Sequence, residues 1–267
     1  MDTTPTTATA ENGEAAETAR YFAWLSYDGT AYHGWQIQPN ADSVQQRVNS
    51  ALSTLLRADT AVTGAGRTDT GVHAAVMVCH FDHAPGLDTE WLCARLNRVL
   101  PRDISVSRVA RVNPRAHARF DATARTYHYH VYLRKNPFLR HYAARLVYEP
   151  DFRLMNETAQ QLLGTRDFTS FSKVHTDTKT NICTLTRAEW TETAPGLWRF
   201  EISADRFLRN MVRAVVGTLL DVGRGRMTPD DFARVVASKD RCAAGDSVPA
   251  NALSLVDIKY PDWIFGY

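Results

Sequence analysis

Gly64-Ala65-Gly66-Arg67-Thr68-Asp69-Thr70-Gly71-Val72-His73-Ala74 is the stretch on which the reading of the fold turns. Three glycines within eight residues permit φ > 0 turns and close approach of a ligand to the backbone. The Asp69 carboxylate stands among them, between two threonines, with the Arg67 guanidinium two residues before it. That guanidinium is suited either to binding a phosphate or to keeping the carboxylate ionised. An ordinary Gly-rich turn with a solvated aspartate has the same composition. A phosphate-cradling P-loop is excluded, because no Gly-Lys-Ser/Thr follows the glycines.

Regular structure is expected on both sides of this loop. A short strand around 61–63 runs into it and a strand over 75–81 leaves it, with Val76, Val78 and His80 alternating against Met77, Cys79 and Phe81. Upstream, the apolar run 21–27 reads as a strand ended by Asp28-Gly29-Thr30. Ser43 then N-caps a helix to about Arg57, with Val44, Val48, Ala51, Leu52, Leu55 and Leu56 on one face. Downstream, a helix over 89–100 is stopped by Pro101, and a strand over 104–112 closes the set. The order is β-α-β-β-α-β, the ferredoxin-like unit. It recurs in the second half: strand 125–133, helix 151–163, a hairpin of strands 184–191 and 198–204 around Ala194-Pro195-Gly196, helices 206–222 and 228–237, and strand 253–260. The expectation is an α+β protein with two ferredoxin-like domains, residues 20–113 and 114–267. Their sheets form one mixed surface with a central cleft.

The 267 residues, 44% of them apolar, suffice for one large or two ordinary domains. No run of 18 apolar residues occurs, which argues against a membrane-spanning helix. Residues 1–19 are Thr-, Ala- and Glu-rich, without large apolar side chains or the pattern of a signal peptide, and read as a disordered tail. Cys79, Cys93, Cys183 and Cys242 are widely spaced with no C-x-x-C pair, which suits free thiols in a reducing cytoplasm and argues against zinc or a disulfide framework. The tail carries acids only, so residues 20–267 hold 31 Lys and Arg against 25 Asp and Glu, a net +6. Twenty-six of the cations are Arg, a residue that binds phosphate in bidentate fashion and stacks on bases. A G+C-rich genome produces the same bias, so it weighs little.

Two further patterns carry chemistry. Thr126-Tyr127-His128-Tyr129-His130-Val131-Tyr132 alternates as a strand, with Tyr127, Tyr129 and Val131 on one face. It reads as a half-buried strand with phenol tips in water, or as a surface on which a base stacks. His128 and His130 lack a third ligand at sensible spacing and read as strand histidines, so no metal is expected there. On a helix over 206–222, Arg206, Arg209, Asn210 and Arg213 share about a third of the circumference. That is either a solvated polar face or one side of a cleft.

The loop resembles the signature of the tRNA pseudouridine synthase A family, whose Gly-Arg-Thr-Asp-x-Gly-Val-His-Ala occurs here without substitution. Tyr27-Asp28-Gly29-Thr30, Gly34-Trp35-Gln36-Ile37-Gln38-Pro39, Ser43-Val44-Gln45, Phe168-Thr169-Ser170-Phe171 and Met211-Val212-Arg213 resemble its other blocks. The likeness runs from about Tyr21 to about Pro261. It implies the pseudouridine synthase fold, Asp69 as catalytic residue, Tyr127 against the target uridine, and Arg213 in the cleft. It also implies action on uridines 38, 39 and 40 of the tRNA anticodon stem-loop by a cytoplasmic homodimer. The expected division of labour is that Arg213 pairs with Asp69 while Arg67 contacts the RNA backbone; Arg206 and Arg209 are assigned no role. The isomerisation involves no redox change, so no cofactor is expected. Two departures stand out: Ala252-Leu253-Ser254-Leu255 replaces the usual Gly-Leu-x-Leu, so Ala252 needs φ < 0 or some strain, and residues 136–148 align only in general character. Two other classes compete: a non-catalytic RNA-binding protein, which would not need Asp69, and a hydrolase with Asp69 as nucleophile, which would not need an RNA-like surface.

Overall fold

The computed structural model describes residues 17–173 and 180–266; most of the expected N-terminal tail lies outside the described residues. The N-terminal half runs β1 (Ala19–Tyr27), α1 (Val44–Leu56), β2 (Thr63–Gly64), β3 (His73–His83), α2 (Thr89–Val99) and β4 (Ile104–Val112). The C-terminal half runs β5 (Ala124–Tyr132), β6 (Ala144–Arg145), α3 (Phe152–Ala159), β7 (Leu185–Ala194), β8 (Leu197–Ala204), α4 (Met211–Gly223), α5 (Pro229–Ser238) and β9 (Leu253–Lys259).

Most helices start where side chains can satisfy free backbone donors. Ser43, Asp88 and Asp151 accept from the backbone N–H groups of Gln46, Trp91 and Leu154, and α5 opens on a capping box between Thr228 and Asp231. Two helices are shorter than the sequence suggests. After Ala159 the chain tightens into a 3-10 turn over Gln160–Leu162. More consequentially, α4 begins at Met211 rather than at Arg206, because Asn210 takes a left-handed conformation, φ 66°. The apolar face does continue backward as Phe207-Leu208, but a left-handed residue cannot propagate a right-handed helix.

The sheet order is β4-β1-β3-β9-β5-β8-β7, with β2 also on β3 and β6 also on β5. Each half therefore has the ferredoxin-like order: β4-β1-β3-β2 in one and β9-β5-β8-β7 in the other. The halves join along β3 and β9, a parallel pairing of His73 with Ser254 and Ala74 with Leu255, so the sheet is mixed. Apolar side chains cross this seam. Val72 belongs to the core of the C-terminal half with α3, α4 and α5, whereas Leu255 and Ile258 belong to the core of the N-terminal half with α1 and α2. Tyr127 packs against both cores. Ala252 sits fully buried in a 3-10 turn, is absent from the residues with positive φ, and leads into Leu253 opposite Tyr129. The replacement of the usual glycine thus carries no backbone strain. No helix among the described residues is long and apolar enough to cross a membrane.

Candidate active site

The chain from β2 to β3 is the Gly64–Ala74 loop, and the earlier sequence blocks brace it. The Ala65 amide bonds Val78 O (2.7 Å), the Trp35 amide bonds Thr68 O (3.2 Å), the Gly71 amide bonds Tyr32 O (3.3 Å), and Val72 N–H closes a turn onto Asp69 O (3.1 Å). Tyr27 and Thr68 share a hydroxyl hydrogen bond of 2.8 Å. Gly34 is required at a close approach: with φ +88°, a Cβ there would lie 2.3 Å from Thr68 O. Of the three loop glycines, only Gly71 takes a positive φ, +77°, and it permits the turn directly after Asp69 and Thr70. His73 then pins the end of the loop. Its Nδ1 accepts from the Gly29 amide (3.0 Å), and its Nε2 donates toward His141 O and Asn251 O (3.2 and 3.0 Å).

The C-terminal half also grips the loop. Arg125 donates to Ala65 O (2.9 Å) and Arg119 O (2.6 Å) through Nη2, and to Ala122 O and Asp205 O through Nη1. One guanidinium thus ties the loop, the segment before β5 and the end of β8.

The backbone restraints leave the Asp69 side chain, 30% exposed, facing a cleft of about 490 Å³. The cleft is lined by Asp69, Thr70, Lys173, Arg209, Asn210, Arg213 and Arg241: one carboxylate among four cations. A larger hollow of about 820 Å³ lies by the outer strand β4, between it and α2, and contains no residue of the loop.

The nearest cation to the carboxylate is Arg209, its Nε 3.8 Å from Asp69 Oδ1. At that length the contact is Coulombic rather than a hydrogen bond, and with Arg209 60% exposed it is weak. Asp69 thus remains open to a ligand. Arg213 lines the same cleft, but its Nε donates to Val248 O (2.6 Å). Arg67 is exposed on the loop and is not among the lining residues. The expected Arg213 pairing is therefore replaced by Arg209. The helical wheel puts Arg209 on the face of Arg213, but the family resemblance at Met211-Val212-Arg213 reaches only Arg213, so Arg209 is given no role from sequence. The usable signal was Asn210 itself, a residue tolerant of left-handed geometry placed directly before an apolar run. Lys173 reaches the cleft because its backbone N–H bonds Arg209 O (3.1 Å); Arg241 carries no sequence signal that marks it.

Tyr127 follows a bulge: Thr126 pairs with Asp257 and Tyr127 with Leu255, leaving Val256 unmatched in β9. Its ring meets Phe207 edge-on at 5.1 Å. Burial, and then the negative charge of Asp69, raise its pKa above the ordinary phenol value, so it stays protonated beside the carboxylate. Tyr129, two residues on, is fully buried in the core. Phe168 and Phe171 are fully buried as well, and Ser170 donates to Val235 O (2.6 Å), so that sequence block supports α5 rather than the cleft. His128 pairs with Glu201 (3.2 Å), and the described residues hold no group of three or more metal-ligating side chains.

A lone carboxylate in a cationic cleft, at the seam of two ferredoxin-like units, defines a protein that receives a polyanion and does chemistry beside it. The chain belongs to the tRNA pseudouridine synthase family, whose model matches residues 23–121 and 158–261. It is 60% identical over 248 residues to tRNA pseudouridine synthase A of Bacteroides thetaiotaomicron, covering 92% of each chain. It is 58% identical to the protein of that name from Bacteroides fragilis, covering 92% of this chain and 98% of that one. Against that of Bacillus subtilis the identity is 41%, over 88% of this chain and 97% of the other.

Proposed function

We propose that the chain isomerises uridine to pseudouridine at positions 38, 39 and 40 in the anticodon stem-loop of tRNA, as a cytoplasmic homodimer with Asp69 as its catalytic carboxylate. The observation that carries this reading is the cleft in which Asp69 is the single acid among Lys173, Arg209, Arg213 and Arg241. Phosphates flanking a target nucleotide supply the negative charge that such a cleft attracts. The target base leaves its stack to reach Asp69, because a base inside a duplex is out of reach of a side chain in a cleft.

In the reaction the C1′–N1 bond breaks, the uracil turns, and a C1′–C5 bond forms. N1 gains a proton and C5 loses one, with no net redox change, so the residues of the chain suffice. Asp69 acts as nucleophile or base at the nucleotide, and the braced loop holds it in place before substrate arrives. Tyr127, kept protonated, offers a hydroxyl donor and a ring edge to the detached uracil. Arg213 and Arg209 hold the flanking backbone, with Arg67 contacting RNA outside the cleft.

Tritium release from tRNA carrying 5-³H-uridine tests the reading directly, since the label leaves only when C5 is substituted. Release with wild-type protein and none with Asp69→Ala is the expected outcome. A wild-type protein that binds tRNA without releasing tritium would overturn it.

A further inference from the structure

His117-Ala118-Arg119-Phe120-Asp121 connects β4 to β5 and folds into a closed turn. Asp121 N–H bonds His117 O (3.1 Å), and the Asp121 carboxylate accepts from His117 N–H (2.7 Å). The His117 Nδ1 accepts from both the Arg119 and Phe120 amides, at 3.1 and 3.2 Å. A turn with this many internal bonds has few ways to move its side chains. Yet it holds Phe120 with 74% of its surface exposed. One face of the ring lies on His117, centroids 4.2 Å apart and planes 28° from parallel, and the Arg119 guanidinium sits 5.8 Å from the ring centre. His117 in turn rests on His80 of β3.

The turn is also fixed against the catalytic loop. Arg119 O and Ala65 O accept from the same nitrogen of Arg125, so they lie no further apart than those two bonds laid end to end. Arg67, two residues beyond Ala65, is exposed on that loop.

We propose that Phe120 is a stacking platform for a nucleobase of the RNA substrate outside the Asp69 cleft, with Arg119 beside it for the adjoining phosphate. This rests on the reading of the chain as a tRNA-modifying enzyme. The chemistry fits: a ring 74% exposed, stacked on an imidazole and with a guanidinium 5.8 Å from its centre, matches a flat base with a phosphate next to it. A rigid ring loses little entropy when a base settles on it. A protein partner would be expected to meet apolar neighbours around the ring, whereas its neighbour here is Arg119, and Arg115 of the same connection is also exposed.

The test compares Phe120→Trp, Phe120→Leu and Phe120→Ala in the full chain, with a tRNA transcript as probe. Affinity is measured at fixed salt, alongside tritium release, thermal midpoint and sedimentation. Stacking predicts that Trp binds within about twofold of wild type, while Ala and Leu each weaken affinity about tenfold. Thermal midpoints should match wild type, since the ring is mostly in solvent. Equal affinity for Ala and wild type overturns the proposal, and so does a Leu variant that binds as well as Trp. A change in oligomeric state with unchanged RNA affinity per protomer also overturns it, making the ring a contact between copies. Absence of tritium release from wild type would instead overturn the enzymatic reading, and the affinity series still decides the stacking.

Discussion

The two halves share one strand order, yet their second strands differ: β2 has two residues and β7 has ten. In the C-terminal half, β7 and β8 form a full hairpin that occupies the whole edge of β8. In the N-terminal half, β2 covers β3 only at Cys79 and His80, so the start of β3 is free to accept β9. Shortening one strand therefore does two things at once. It opens an edge along which the second half can join, and it leaves the residues that would have extended the strand as a loop carrying Asp69. The full hairpin leaves no such loop, and the C-terminal half instead contributes Tyr127 and the cations. Acid and bases of the site thus come from opposite copies of one plan.

The strongest break of this division is Asp69→Asn. With no other carboxylate lining the cleft, turnover should fall to background while tRNA affinity stays within about tenfold, because phosphate contacts dominate binding. Tritium release and filter binding on one transcript measure both.

Next comes the brace under the shortened strand. Gly34→Ala places a Cβ 2.3 Å from Thr68 O at a φ of +88°, so either the loop or the residue must move. Strain and displacement together should cost about 3 kcal/mol of stability and most of the activity. Chemical denaturation gives the first quantity, and an undiminished midpoint would contradict the brace.

Acid probes both halves with one titrant. Burial chiefly lowers the pKa values of His80 on β3 and His130 on β5 to about 4. Unfolded histidine titrates near 6.5, so the unfolded chain binds more protons between these values. The stability these groups contribute is present above pH 6.5 and lost as pH falls toward 4, on the order of 3 kcal/mol per residue. Denaturation midpoints across that window should fall, and His80→Gln and His130→Gln should each flatten part of the slope.

The smallest effect sharpens the assignment of the cations. Arg209→Ala removes an exposed charge from the cleft and should lower the salt slope of tRNA binding by about one, with the fold unchanged. A slope equal to that of wild type would mean that Arg209 serves only Asp69.

Periodicity made the repeated strand order legible, because both β1 and β5 follow strand patterns and the helices carry apolar faces long enough to read. It failed where an element is too short to have a period, as with β6, while β2, expected around 61–63, lies at Thr63–Gly64. It also failed at Asn210, where the charges alone fit a helix and a single backbone dihedral decides otherwise. The place of Asp69 in the cleft was legible through the signature of its loop, whereas the glycines alone fit an ordinary turn equally well. Arg209 was not, because its position follows from where α4 starts rather than from the residue's own neighbours. Arg125 was missed for a related reason: four carbonyl acceptors from separate segments leave no pattern in sequence.

The seam has a consequence for the order in which the molecule comes into being. His73, at the end of the Gly64–Ala74 loop, bonds Asn251 O, 178 residues later, and β3 meets β9 just beyond. Contacts of such span form after local ones, since closing a long loop costs more entropy than closing a short one. A nascent chain that has finished its first half holds Asp69 on a loop without Arg125, Arg209 or β9 around it. Synthesis of the carboxylate and completion of its surroundings are separate events, and the seam beside it closes only in a chain translated through β9.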